Sequence, residues 1–191
     1  MRGRSRPGSM VAYVAVAAIL AALVHLVVVL LVPLVATRDA FARLAPLGAP
    51  NETSLLPRAD PREKLLPYAD PAVAMAICRY DLGSGPIRVS APAGRAFASI
   101  SFHTRRGLVF YALTDKAATH GVIDAVVATP EDVRAIAASE DQEDPSHDLR
   151  VAAPEREGYA LIRVFSELPS LYPEAQAQAK QLICKPEPIR R

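Results

Sequence analysis

The side chains able to do chemistry are few and widely spaced. Cys78 and Cys184 are the only thiols in a chain of 191 residues. In an oxidising compartment the economical reading of such a pair is one disulfide. Closing a loop of about 106 residues would remove roughly 4–5 kcal/mol of unfolded-state entropy on the chain-entropy model. Two buried free thiols are the alternative. A catalytic or metal-binding pair is disfavoured, because neither cysteine sits in a C-x-x-C or beside a histidine.

His103, His120 and His147 have no ligand-like spacing, and no nucleophile elbow, zincin, Walker or dinucleotide-binding motif occurs. No catalytic residue, metal or cofactor is therefore assigned. The best pocket candidates are His103, Tyr111, Asp115 and Arg163, polar groups on or beside apolar strands. Arg163 is the sharpest of these. It falls in one strand row with Tyr159, Leu161 and Phe165, where a charge needs a partner or an exit to water. It could grip an anionic ligand through a bidentate contact, or form a structural salt bridge with the acidic stretch Glu140–Asp148. That stretch lacks the glycine and ordered spacing of a calcium loop and reads as solvated. Gly83-Ser84-Gly85-Pro86 precedes a strand and reads as a turn, without the lysine of a phosphate-binding loop.

What holds these residues in place begins with Val11–Val35, 25 residues without a formal charge. At about 1.5 Å per residue such a helix crosses a hydrocarbon core of about 30 Å. Residues 1–10 form a basic tag with Arg2, Arg4 and Arg6, which favours a cytoplasmic amino terminus. Ala40-Phe41-Ala42 has the form of a signal-peptidase site, but the apolar run exceeds the usual 7–15 residues of a cleaved signal. An uncleaved transmembrane signal anchor over 11–35 is thus expected, with the lipid bilayer as a partner. The rest of the chain would face the periplasm from the bacterial inner membrane. His25 falls mid-span, an intramembrane polar residue that is a functional candidate by position. A neutral imidazole bonded to a carbonyl, or facing a partner helix, is the blander reading. From residue 36 onward acidic and basic residues nearly balance. No basic face suited to phosphate backbones follows, so nucleic-acid binding is excluded.

Residues 36–69 carry Pro46, Pro50, Pro57, Pro61 and Pro67. That spacing predicts neither helix nor strand, but a semi-extended juxtamembrane linker, or a collar packed on the domain, with a short turn through Phe41 and Leu44. The periplasmic domain is expected over 70–185. Asp70-Pro71 suggests a helix start, with Val73, Ile77 and Tyr80 as its apolar stripe and Cys78 at its end. Strands are expected at Ile87–Ala91, Ala96–His103, Leu108–Leu113, Val122–Ala128 and Gly158–Phe165, with a short one near Leu149–Ala152. Thr129-Pro130 opens a helix ending near Ser139, and Pro173–Cys184 a second, with Ala175, Ala179, Leu182 and Ile183 facing inward. Residues 186–191 form a tail. The residues therefore describe an α+β, mainly β chain behind one N-terminal transmembrane helix.

Three stretches carry a family resemblance: Asp70 to Val89, the hairpin Phe97 to Asp115, and the strand Glu157 to Val164 followed by a helix and cysteine. In this order, behind an N-terminal span, they resemble the short, membrane-anchored bacterial form of the domain-of-unknown-function family 1254. The resemblance implies a small β-sandwich-like antiparallel domain with peripheral helices. It also implies a relation to the companion family 1214, which follows on the same chain in longer relatives; a separately encoded companion-domain protein would then be a partner. No catalytic residues come with it. The leading expectation is a binding or assembly module for an envelope partner or ligand. The alternatives are an envelope hydrolase acting on carbohydrate or lipid through His103, Asp115 and Arg163, or a membrane-assembly factor using His25.

Overall fold

A computed structural model describes residues 7–35, 40–60, 62, 65, 66, 68–139 and 148–188. Two compact units result, Met1–Thr37 and Arg38–Arg191. The first contains one helix, α1 (Pro7–Val35), without acidic residues in its first turn or basic ones in its last. Its stretch Met10–Val32 is long and apolar enough to cross a membrane and buries none of its surface. A helix that is apolar all round suits a lipid environment. The tag residues Arg2, Arg4 and Arg6 lie outside the described residues.

The second unit runs α2 (Ala40–Leu44), β1 (Thr53–Leu55), β2 (Val73–Asp81), β3 (Ile87–Pro92), β4 (Ala98–Thr104), β5 (Val109–Thr114), β6 (Val122–Ala128), α3 (Pro130–Ser139), β7 (Arg150–Ala152), β8 (Glu157–Phe165), α4 (Tyr172–Ala179) and β9 (Ile183–Pro186). One sheet has the order β1-β2-β8-β4-β5 and the other β7-β6-β3-β9. The pairs are antiparallel except β6 with β7, which is parallel. Alternate residues of both sheets meet in one core. Tyr80, Phe102, Ile100 and Ile162 of the first sheet and Val89, Ile123 and Val127 of the second are all buried in it. Tyr172, Ala175 and Ala179 of α4 join the same cluster. The domain is thus mixed α+β and mainly β, with short helices at its periphery.

Two expected helices are corrected. Val73–Asp81 is a strand, paired with β8 along its whole length. Asp70 Oδ1 accepts from the Ala72 N–H at 2.8 Å, an Asx turn that leads into the strand. The misleading signal was the unbroken apolar run from Val73 to Cys78. Such a run arises when a strand is covered on both faces, and it then matches helical spacing by chance. The final helix stops at Ala179, and Cys184 lies on the edge strand β9, in register with Val89. Ile183 is accordingly 51 % exposed and does not face inward. The helix over α3 follows expectation. Thr129 Oγ1 accepts from the Asp132 N–H at 3.1 Å, and Pro130 takes the first helical position.

The proline-rich stretch takes the collar form of the two expected, but it also carries a short helix and a strand that its proline spacing did not predict. Thr53–Leu55 adds an edge to the five-stranded sheet, and the Thr53 hydroxyl donates to Leu182 O at 2.8 Å. Leu44 and Leu56 are buried with Met75, Ile77, Tyr159 and Leu161 on the sheet's outer face. The described part of 40–70 is therefore a collar laid on that face. Arg79 secures it, donating through Nη2 to Gly48 O at 2.7 Å with its guanidinium 5.3 Å from the Phe41 ring. Prolines that exclude regular structure still hold an ordered path when side chains behind them reach a core.

Cys78 and Cys184 are joined in a disulfide with Cα atoms 6.2 Å apart. The bond links β2 of one sheet to β9 of the other. Arg88 makes a second tie on the four-stranded sheet. It pairs with Asp124, with Asp148 at 2.7 Å and with Glu187 at 2.9 Å, gathering β6, the chain just before β7 and the chain just after β9.

Candidate functional site

The outer face of the five-stranded sheet carries the polar group of greatest interest. On β4, Ser101 and His103 point away from the inter-sheet core, because Ile100 and Phe102 point into it. On the adjacent β8, Tyr159, Leu161 and Arg163 share that outward face. Arg163 is in register with Ser99 on one side and Met75 on the other. The collar covers this face, so side chains that alternation would send to water end beneath Leu44, Leu66 and Ala69. His103 is only 5 % exposed.

A hydrogen-bonded line runs through the site. Arg163 Nη1 donates to Ser101 Oγ at 2.8 Å, and Ser101 Oγ lies 2.9 Å from His103 Nε2. His103 Nδ1 lies 3.3 Å from Gly107 O, a carbonyl that can only accept. With Nδ1–H donating to Gly107 O, the Ser101 hydroxyl has two acceptors within reach, His103 Nε2 of a neutral imidazole and, at 3.4 Å, Leu161 O. Tyr159 stacks on the imidazole at 4.5 Å between ring centroids. Burial pushes the His103 pKa down, the Gly107 hydrogen bond opposes this, and the Arg163 charge pushes it down further. Burial likewise lowers the Arg163 pKa. Among the described residues no carboxylate lies within salt-bridge distance of Arg163. Most of the acidic stretch expected to pair with it, residues 140–147, falls outside those residues, and Asp148 pairs with Arg88 instead.

His103, Tyr159 and Arg163 line a half-open pocket of about 370 Å³ with Ala40, Leu44, Leu66, Tyr68, Ala69, Asp70, Val73, Met75 and Leu161. The size falls in the range of small-molecule sites, about 300–1,000 Å³. Of the four pocket candidates, His103 and Arg163 come together and the other two do not. Tyr111 pairs with Phe102 on the opposite face of the sheet, with ring centroids 6.5 Å apart. Asp115 follows Thr114, which pairs with Ser99, four residues along β4 from His103. At about 3.3 Å per residue that is roughly 13 Å away. The hydrolase arrangement of His103, Asp115 and Arg163 is therefore not assembled. Nor do Ser101 and His103 make a nucleophile pair. Ser101 is not on the pocket lining, its oxygen already accepts from Arg163, and a backbone carbonyl orients the imidazole in place of a carboxylate. Sequence reasoning missed Tyr159 and the collar residues as parts of the site. Tyr159 was findable, since it lies four residues before Arg163 on the same face of one strand.

The buried imidazole makes stability depend on pH. With its folded pKa below the unfolded value of about 6.5, the unfolded chain binds the proton first. Stability then rises with pH across the window between the two values and falls as pH drops below about 6.5. Urea midpoints at pH 5 and pH 7.5 should therefore differ more for the wild type than for His103→Gln, which cannot titrate. Equal differences in the two proteins would show that His103 titrates as it does in the unfolded chain.

Fold and pocket together define a small two-sheet, mainly β domain with a ligand-sized pocket on one outer face, preceded by an apolar helix. The chain belongs to the DUF1254 family of proteins of unknown function, whose model matches residues 50–186. No curated protein matches it. The VPA0106 protein from Vibrio parahaemolyticus is similar in structure, with a TM-score of 0.54 and 12 % identity over 80 % of this chain and 38 % of that one. An uncharacterized protein from Burkholderia cenocepacia matches with a TM-score of 0.44 and 15 % identity, over 69 % of this chain and 37 % of that one. This chain thus spans well under half the length of either structure.

Proposed function

We propose that the protein is a single-pass inner-membrane protein that holds its β-rich domain in the periplasm as a binding module for a small envelope ligand. The lipid bilayer and a separately encoded companion-domain protein related to family 1214 are the partners this reading implies. The helix Met10–Val32 supports the anchor, being longer than the apolar core of a cleaved signal. The disulfide supports an oxidising compartment. The observation that carries the binding reading is Arg163. It lines the pocket with one hydrogen bond, to Ser101, and no carboxylate partner among the described residues. A half-buried guanidinium whose one described partner is a neutral hydroxyl lowers stability, and a perturbed charge in a cleft is a functional-site candidate.

The test is a comparison with Arg163→Met, which keeps the volume and removes the charge. The variant is expected to gain about 1 kcal/mol in urea unfolding. The wild type, purified from its own membranes, should release a small molecule on denaturation that the variant does not carry. A destabilised variant, together with no released molecule from either protein, would make Arg163 a purely structural residue and defeat this reading.

A further inference from the structure

The chemistry of the pocket specifies its ligand, on the reading just given that the pocket binds one. Among the described residues its lining carries one positive charge, Arg163, placed beside a largely aliphatic wall. Arg163 commits Nη1 to Ser101, and its other donors have no protein acceptor among the described residues. His103 beside it is kept neutral by its burial and by the neighbouring Arg163 charge. Asp70 also lines the pocket but is exposed, and one of its oxygens is engaged by the Ala72 N–H. One half-buried cation with a planar fork of donors matches one carboxylate. A phosphate monoester, with nearly two charges at neutral pH, would be left with one charge uncompensated.

Apart from the hydroxyls of Tyr68 and Tyr159, the rest of the lining is hydrocarbon. Ala40, Leu44, Leu66, Val73, Met75 and Leu161 form its apolar wall, and the flexible thioether of Met75 adapts to varied shapes. A hydrophilic carboxylate such as a sugar acid would bury most of its hydroxyls against that wall without partners, at a cost. At about 30 Å³ for each water-sized group, the cavity of about 370 Å³ holds roughly a dozen non-hydrogen atoms. A carboxylate with a straight tail of about ten carbons has that size. We infer that the pocket takes a medium-chain monocarboxylate, with its head on Arg163 and its tail along Leu44, Leu66, Met75 and Leu161.

The full chain in lipid nanodiscs should be titrated calorimetrically with decanoate, 1-decanol, acetate and inorganic phosphate, with empty discs as the partition control. Decanoate should bind saturably, at least tenfold more tightly than the other three. Arg163→Met should weaken it at least tenfold, and Arg163→Lys should recover part of the loss. Oleate carried in the disc lipid and decanoate added from water distinguish a membrane source from a dissolved one, and saturable binding of either supports the class. Equal binding of decanol and decanoate, or of decanoate to wild type and Arg163→Met, would overturn the class while leaving a binding module. Release of a phosphorylated or neutral molecule from purified protein would do the same. Absence of any binding, together with no molecule released on denaturation, would remove the binding module as well.

Discussion

Cys184→Ala is expected to lower the stability of the folded domain by about 4 kcal/mol. The bridge joins residues 106 apart, for which the chain-entropy model gives close to 4.7 kcal/mol. Structure lost with it would add to that. β9 has only four residues and pairs with β3 alone, so without the bridge its hold on the sheet is short. The Arg88–Glu187 ion pair just beyond it would loosen too. Urea unfolding followed by far-ultraviolet circular dichroism suits the measurement, since the chain has no tryptophan. Reductant should shift the wild type by a similar amount and leave the variant unmoved. A loss under about 1 kcal/mol, or a wild type indifferent to reductant, would show the bridge to be unimportant. Thiol labelling in intact cells before lysis tests the compartment, and quantitative labelling of both cysteines would contradict an oxidising one.

Gly158→Ala is expected to cost about 3 kcal/mol, toward the upper end of overpacking effects. A methyl group here would collide with the carbonyl oxygen of His103 and the hydroxyl of Tyr80. Neither can yield easily. The carbonyl belongs to the β4–β8 ladder, where Thr104 faces Gly158. The Tyr80 hydroxyl donates to that same carbonyl at 3.2 Å inside the core. The substitution would therefore part the two strands beside His103 and disturb the pocket floor as well as stability. Tyr80→Leu removes both the hydroxyl and the ring carbon Cζ that the methyl would meet, so the double variant Tyr80→Leu/Gly158→Ala should be less impaired than the sum of the single changes. A cost under about 1 kcal/mol, or strict additivity, would mean that the strands adjust freely at this point.

Much of the site was legible in period-two alternation. It placed Ser101 with His103 on one face of a strand, and Arg163 with Tyr159 and Leu161 on one face of another. Alternation could not state that β4 and β8 are neighbours. Their residues are about 60 positions apart in the chain, and Arg163 meets Ser101 only through that pairing. It also could not tell His103 from Tyr111 or Asp115 as pocket residues. All three are polar groups near apolar strands, and the register of β4 with β5 is what sends Tyr111 to the other face. The expected helix over Val73–Asp81 failed for a related reason. A strand buried on both sides shows no alternation, and the covering that buries its outer face comes from a stretch that composition marks as irregular.

The sequence by itself determined the local and compositional features: an uncharged apolar helix at the amino terminus, a near-neutral domain, most strands, the Thr129 cap and a single possible cysteine pair. These depend on residue type and short-range spacing, where side-chain period and capping chemistry act within a few residues. Tertiary packing alone lays the described part of residues 40–70 over the five-stranded sheet. That one packing choice turns a solvent-facing row into a half-open pocket, leaves Arg163 without a carboxylate among the described residues and keeps His103 neutral. The cause is burial, which is set by what comes to lie above a residue, and no spacing along the chain encodes it.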